Sequence, residues 1–330
     1  MNQEEKIKQF EKKIELDYSN TTGIVVLKNG ESVYENYFNG CVRDSKVHVY
    51  SVSKSILSIL IGIAIDKGLI KSLDQKVLDF FPDYQGKKKE DIVQQITLRD
   101  LITMTVPYKY KESPFIYIRY FMSKDFLKFT LNQLGGKKPI GEFRYTPLIG
   151  PDILSGVIAK ATGMSVFDFA QENLFQPLGI TVEKNIYFKS AKEQTEFNKK
   201  TNVSGWATDS QGLNTGGWGL TLSAWDMAKI GQLYLNQGIW NEKRIVSSEW
   251  MEESIKEHSK WKSENLSYGY LWWIINADEQ ACAAMGDGGN VIYFNHKKKL
   301  VVSIASLFEK NAKDRMELIL NEIEPMFEEK

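Results

Sequence analysis

Between Ile56 and Ile65 the chain is apolar apart from Ser58 and Gly62, and a polar stretch, Ser51-Val-Ser-Lys-Ser55, leads into it. The run is too short to span a bilayer. It predicts a helix buried on most sides, closed at Lys67-Gly68 by a glycine C-cap. Upstream, residues 3–16 set Ile7, Phe10, Ile14 and Leu16 among charges, the spacing of a short amphipathic helix. Ile24–Leu27 and Ser32–Phe38 are β-rich runs joined by Lys28-Asn-Gly-Glu31. Asn-Gly between such runs predicts a hairpin.

From Leu73 to about Gly205 the pattern turns helical. Ile96–Ile102 reads as a helix with Thr97 as N-cap and Asp100 in its first turn. Phe126–Leu134 ends at Gly135-Gly136, Ile149–Thr162 ends at Gly163, and Val166–Leu174 stops before Pro177. After Gly216-Gly217 a long amphipathic helix carries Trp225, Met227, Ile230, Leu233 and Tyr234. Tyr268–Ile275, Val291–Asn295 and Leu300–Leu307 read as strands, the last of them central, and 311–328 as a closing helix. Strands at both ends with helices between them predict an α+β fold. An antiparallel sheet is assembled from residues 1–72 and 206–330, and 73–205 form an inserted, mostly helical lobe.

Composition narrows the function. Forty-two acidic residues balance 42 basic ones, so no net field draws nucleic acid or an acidic membrane. Three histidines, His48, His258 and His296, lack metal-ligand spacing. Cys41 and Cys282 form no metal-like cluster and read as free buried thiols, with one disulfide as the alternative. The charged start, Met-Asn-Gln-Glu-Glu-Lys-Ile-Lys, has no apolar signal core, and no later segment has the length of a membrane helix. The expected location is the cytoplasm.

The candidate chemistry sits at the mouth of the buried helix. Ser51 and Lys54 are one turn apart, on one face. The helix N-terminus adds free N–H groups and a positive dipole end. A serine, a base within reach and donors for an oxyanion are what acyl transfer needs. The plain alternative for Ser51 is an ordinary N-cap. The pattern recurs at Ser259-Lys-Trp-Lys262, in a polar stretch with no buried helix behind it.

The order of several segments supports the chemical reading. Ser51-Val-Ser-Lys54 is followed by Ile96-Thr-Leu-Arg-Asp-Leu-Ile-Thr-Met-Thr105, Gly141-Glu-Phe-Arg-Tyr145, Leu213–Lys229 with its Asn-Thr-Gly-Gly-Trp-Gly core, Tyr268-Gly-Tyr-Leu-Trp-Trp273 and Gly286-Asp-Gly-Gly-Asn290. Over about residues 20–310 this resembles the serine beta-lactamase-related hydrolases of the class C type, which include DD-peptidases, D-aminopeptidases and esterases. The resemblance implies Ser51 as nucleophile and Lys54 as its lysine partner. A buried lysine loses part of its preference for the charged form and can share in proton transfer. Tyr145 matches the tyrosine of the family's Tyr-x-Asn motif, ahead of Tyr18, Tyr234 and Tyr293, which match it literally but out of order. Asp287-Gly288-Gly289 aligns with the third motif, and the Asn290 N–H is expected to complete an oxyanion hole with that of Ser51. No metal or organic cofactor is implied.

Two departures shape the expected substrate. Pro147 stands where the family has asparagine, and Asp287 where many relatives meet a substrate carboxylate. A penicillin carboxylate facing Asp287 is repelled. The expectation is a serine hydrolase forming an acyl-enzyme on Ser51, acting on esters, small amides or short peptides that are neutral or cationic rather than on beta-lactams. Met104-Thr-Val-Pro107 replaces the frequent His-Thr-Ser-Gly segment and is expected to reshape the cleft wall. Trp218, Trp272 and Trp273 are candidates for that wall, with packing as the expected role of at least two. The alternative is a binding or sensing protein that keeps the fold without catalysis, favoured by the same two departures and opposed by the joint presence of Ser51, Lys54 and Tyr145.

Overall fold

A computed structural model describes residues 3–86 and 90–328. Helix α1 (Gln3–Asp17) precedes a hairpin of β1 (Thr21–Lys28) and β2 (Glu31–Tyr37). Asn29 and Gly30 at its tip both have positive φ, as a tight two-residue turn requires. The apolar run forms α2 (Val52–Asp66), with Lys67 as C-cap and Gly68 at φ 70°. Gly62 in its middle leaves room for the Trp250 ring, which a Cβ there would meet at 2.4 Å.

Helix α3 (Leu98–Ile102) has the capping box expected of Thr97 and Asp100, with both reciprocal bonds made. Helix α4 (Pro151–Thr162) ends at Gly163 in the left-handed region. Short helices at Asp91–Gln95, Pro114–Phe121, Phe126–Leu131, Val166–Ala170 and Ala191–Phe197 account for most of the other regular structure between 73 and 205. The long helix after the paired glycines is α5 (Ala224–Leu235), capped by Ser223 and Asp226.

The later strands are β3 (Ser259–Trp261), β4 (Leu266–Tyr268), β5 (Trp273–Asn276), β6 (Ala281–Gly286), β7 (Asn290–Asn295) and β8 (Leu300–Ser306). With β1 and β2 they make an eight-stranded sheet in the order β2-β1-β8-β7-β6-β5-β4-β3. Every neighbouring pair is antiparallel. The stretch Tyr268–Ile275 is two strands, not one. Residues 269–272 turn between β4 and β5, with Leu271 at φ 60° and the Leu271 N–H bonded to the Ile102 carbonyl.

Alternation along the strands feeds two cores. Ile24 and Val26 of β1 join Ala281, Ala283, Tyr293 and Val302 under α1 and the helical segment 315–327. Val25, Leu27, Cys282, Ala284, Phe294 and Val301 face the opposite core, with α2 and α5. The sheet is thus a middle layer between helices, and α2 runs through the larger core. Cys41 and Cys282 are buried and unpaired. Among the described residues no single helix is long and apolar enough to cross a membrane.

Candidate active site

Ser51 is the N-cap residue of α2, but its hydroxyl makes no capping bond. It accepts instead from Lys54 Nζ at 2.7 Å. The residue before it, Tyr50, holds φ at 49°, a region that an aromatic residue adopts only under constraint. Its ring is stacked on His48, 3.8 Å between centroids, and leans on Phe308. The Tyr50 carbonyl accepts from the Ser53 hydroxyl at 2.7 Å. These contacts fix the turn that presents Ser51.

Lys54 is 1% exposed. Its Nζ also donates to the Gly217 carbonyl at 3.3 Å and lies 5.0 Å from the centroid of the Tyr145 ring. Among the described residues no carboxylate forms an ion pair with it. Tyr145 belongs to an irregular segment leading to α4. Its ring packs on Trp273 at 5.4 Å and meets Tyr268 edge-on. The structure thus brings Ser51, Lys54 and Tyr145 to one point.

Ser51 opens into a hollow of about 230 Å³, lined in part by Pro147, Leu148, Gly217, Trp218 and Asp287. Asp287 is the one carboxylate among its lining residues. Trp218 is a wall residue. Trp272 is fully buried against Tyr234 and Phe294, and Trp273 backs Tyr145.

The rest of the third segment is placed differently from the expectation. Gly288 and Gly289, at φ 79° and 94°, line a separate hollow with Arg315. Asn290 opens β7, paired in register with Gly286. Its side chain is fully buried and engaged with the Asp287 carbonyl at 2.9 Å and the Ser306 carbonyl at 3.0 Å, and it accepts from the Ser306 N–H at 2.9 Å. It clamps the end of the hairpin and does not line the Ser51 hollow. The end of β6 comes to Ser51 instead. A Cβ on Gly286 would meet the Val49 carbonyl at 2.2 Å and lie 3.3 Å from Ser51 N. Only glycine permits that approach, and it carries the next residue, Asp287, into the hollow.

Two buried groups around the site were not singled out in the sequence. His48 accepts the Gly219 N–H at Nε2, 2.7 Å, so Nδ1 carries the proton and donates to Asn198 Oδ1 at 2.8 Å. Burial holds its pKa down to about 3, with the Asn198 bond opposing the shift. His48 is therefore a neutral spacer whose lone pair is already used, and not a general base. The unfolded chain binds this proton below about pH 6.5 and the fold does not, so stability is lost as pH falls from there toward 3. In an NMR titration the His48 ring resonances should not move between pH 5 and 8. A midpoint inside that range would refute the neutral assignment.

Asp152 starts α4 just after Pro151 and is fully buried. Its carboxylate accepts from the Tyr120 hydroxyl at 2.6 Å and the Gly216 N–H at 2.8 Å. Trp218 Nε1 donates to the same Tyr120 oxygen at 3.1 Å. Burial pushes the Asp152 pKa up to about 7, against the Tyr120 and Gly216 hydrogen bonds and the charge of Lys54. This network fixes loop 216–218, which supplies both a lysine acceptor and a wall of the hollow. Its sequence signals were only a first-turn acid and a glycine pair.

Three comparisons bear on the fold and the family. Among curated proteins, the 6-aminohexanoate-dimer hydrolase of Paenarthrobacter ureafaciens is 21% identical over 314 residues, covering 87% of this chain and 72% of that protein. Among solved structures, EstCE1, described as a hydrolase with promiscuous acyltransferase activity, superposes with a TM-score of 0.72 at 16% identity over 94% of each chain. The octameric penicillin-binding protein homologue from Pyrococcus abyssi gives 0.68 at 20% identity, over 98% of this chain and 78% of that one. These structures share the fold. A family model described as Beta-lactamase matches residues 17–323, from the end of α1 through every strand of the sheet into the C-terminal helical segment. On that match the chain belongs to the beta-lactamase family.

Proposed function

We propose that the protein is a serine hydrolase that cleaves esters or small amides through an acyl-enzyme on Ser51. The observation that carries this reading is the 2.7 Å contact between Lys54 Nζ and a Ser51 hydroxyl that is free of capping duty. Ser51 Oγ attacks the substrate carbonyl carbon as its proton passes toward Lys54 Nζ. Collapse of the tetrahedral adduct breaks the bond to the leaving oxygen or nitrogen, which takes a proton through Lys54 and Tyr145. Water then attacks the Ser51 ester, releases the acid and restores the hydroxyl. The helix-end N–H of Ser51 and the N–H of Asp287 serve the oxyanion. In support, the Gly286 contact brings that peptide beside Ser51 N. This role moves from Asn290 to Asp287.

The charge of the hollow supports a neutral or cationic small molecule or short peptide as substrate. A second carboxylate held near Asp287 costs on the order of 1–3 kcal/mol at a partly solvated site, enough to disfavour a beta-lactam acid. The curated relative named 6-aminohexanoate-dimer hydrolase supports a small hydrolysable substrate. Exposure to a fluorophosphonate should give one covalent adduct, mapped to Ser51 by peptide mass. p-Nitrophenyl esters or aminoacyl amides should be hydrolysed, and nitrocefin should not. No adduct on the folded protein would favour a binding protein. Nitrocefin turnover at ordinary enzyme rates would overturn the substrate assignment.

A further inference from the structure

The helix Pro114–Phe121 is apolar on a face that is not buried. Ile116 and Tyr120 pack inward. Phe115, Ile118 and, just past the helix end, Met122 recur at i, i+3 and i+7 and are 77%, 54% and 78% exposed. Phe121 and, across from them, Tyr187 are also exposed. Single exposed apolar side chains need no explanation, but a contiguous stripe beside a reactive site marks a binding surface.

The stripe borders a groove of about 550 Å³, whose walls include Ile118, Met122, Phe126, Tyr187 and Phe188. This groove and the Ser51 hollow share Phe121, Gln194 and Trp218. Trp218 is held rigidly between them, stacked on Phe188 at 6.1 Å and edge-on to Phe121 at 5.4 Å, with its Nε1 tied to Tyr120. A chain leaving the carbonyl at Ser51 along this wall runs over aromatic and aliphatic surface. The hollow alone, at about 230 Å³, takes only a small group.

Building on the hydrolase reading above, we infer that the groove is a subsite for a linear apolar chain, so that the substrate is an ester or amide of medium chain length rather than an acetyl-sized one. Each methylene buried there raises kcat/KM or the labelling rate by about fourfold at most.

The test uses two series below their micelle concentrations. Ethyl, hexyl and decyl fluorophosphonates place the chain on the acyl side, read by intact mass. Acetate esters of ethanol, hexanol and decanol place it on the leaving side, read by acid release. A rise of at least tenfold from ethyl to decyl in either series supports the subsite and says which side it serves. Flat rates in both series, with Ser51 still labelled, overturn the subsite and leave the hydrolase reading standing. No labelling by any probe removes the hydrolase reading and this inference with it. In Ile118→Asp with Met122→Asp, both at exposed positions, the decyl-to-ethyl ratio should fall toward one with the melting temperature retained. An unchanged ratio would place the chain elsewhere and overturn the assignment.

Discussion

Lys54→Met should lower kcat/KM for ester hydrolysis on the order of 10³-fold or more and abolish fluorophosphonate labelling of Ser51, while the protein still folds. Methionine fills much of the lysine's volume at a position that is 1% exposed, and it removes a buried amine bonded only to the Ser51 hydroxyl and the Gly217 carbonyl among the described residues. Stability should therefore be retained or improved, which separates a chemical loss from a structural one. Ser51→Ala should cost at least as much, and the double variant no more than Ser51→Ala alone, because a nucleophile and its base act as one unit. The decisive outcome is the residual rate of Lys54→Met. A variant retaining a tenth of native activity would remove Lys54 from the proton path and point to another base.

The second large effect is on stability. Asp152→Ala strands the Tyr120 hydroxyl and the Gly216 N–H in a dry interior and leaves a void. Each orphaned group costs about 1–3 kcal/mol, so a loss of about 3–5 kcal/mol is expected in denaturant unfolding. Asp152→Asn keeps an acceptor for Gly216 and should cost less. The pH dependence separates charge from shape. Asp152 has its pKa raised from 3.8 to about 7 in the fold, so the unfolded chain gives up this proton first. The native protein then loses stability as pH rises from about 4 to about 7, by at most about 1.4 kcal/mol per unit. His48 acts with the opposite sign over part of that window, so the raw slope mixes the two. Subtracting the Asp152→Asn curve isolates the carboxyl, and the variant should gain on the native protein across that range. A constant gap from pH 4 to 8 would show that burial does not raise the Asp152 pKa.

The elements that the sequence made legible are those whose signals are local. The Asn29-Gly30 turn, the Thr97–Asp100 capping box and the glycine stop at Gly163 each need only a few neighbouring residues, and each is present as expected. Strand β6 has no strand signal in the sequence because Ala-Cys-Ala-Ala-Met-Gly has weak strand preference. Its small side chains answer to helix α2 lying close above, a fact of tertiary packing. The same holds at the site. Ser51 and Lys54 are one turn apart on a helix and could be read directly. Asp287 and Asn290 are three residues apart at a hairpin end, and which of them faces Ser51 depends on how β6 and β7 pair. The sequence holds no local sign of the places of Asp152 and His48, because Gly216 and Gly219, whose N–H groups they accept, are distant in the chain.

The pairing of β1 with β8 has a consequence for the timing of synthesis. Thr21–Lys28 finds its inner neighbour only when residues 300–306 have been made. The turn that presents Ser51 leans on loops 216–219 and 286–287, both late in the chain. On the ribosome the early hairpin and α2 therefore wait with their apolar faces uncovered, a task for chaperones. The serine meanwhile lacks the surroundings that would make it reactive. Products truncated before residues 300–306 should be inert toward esters and prone to clump.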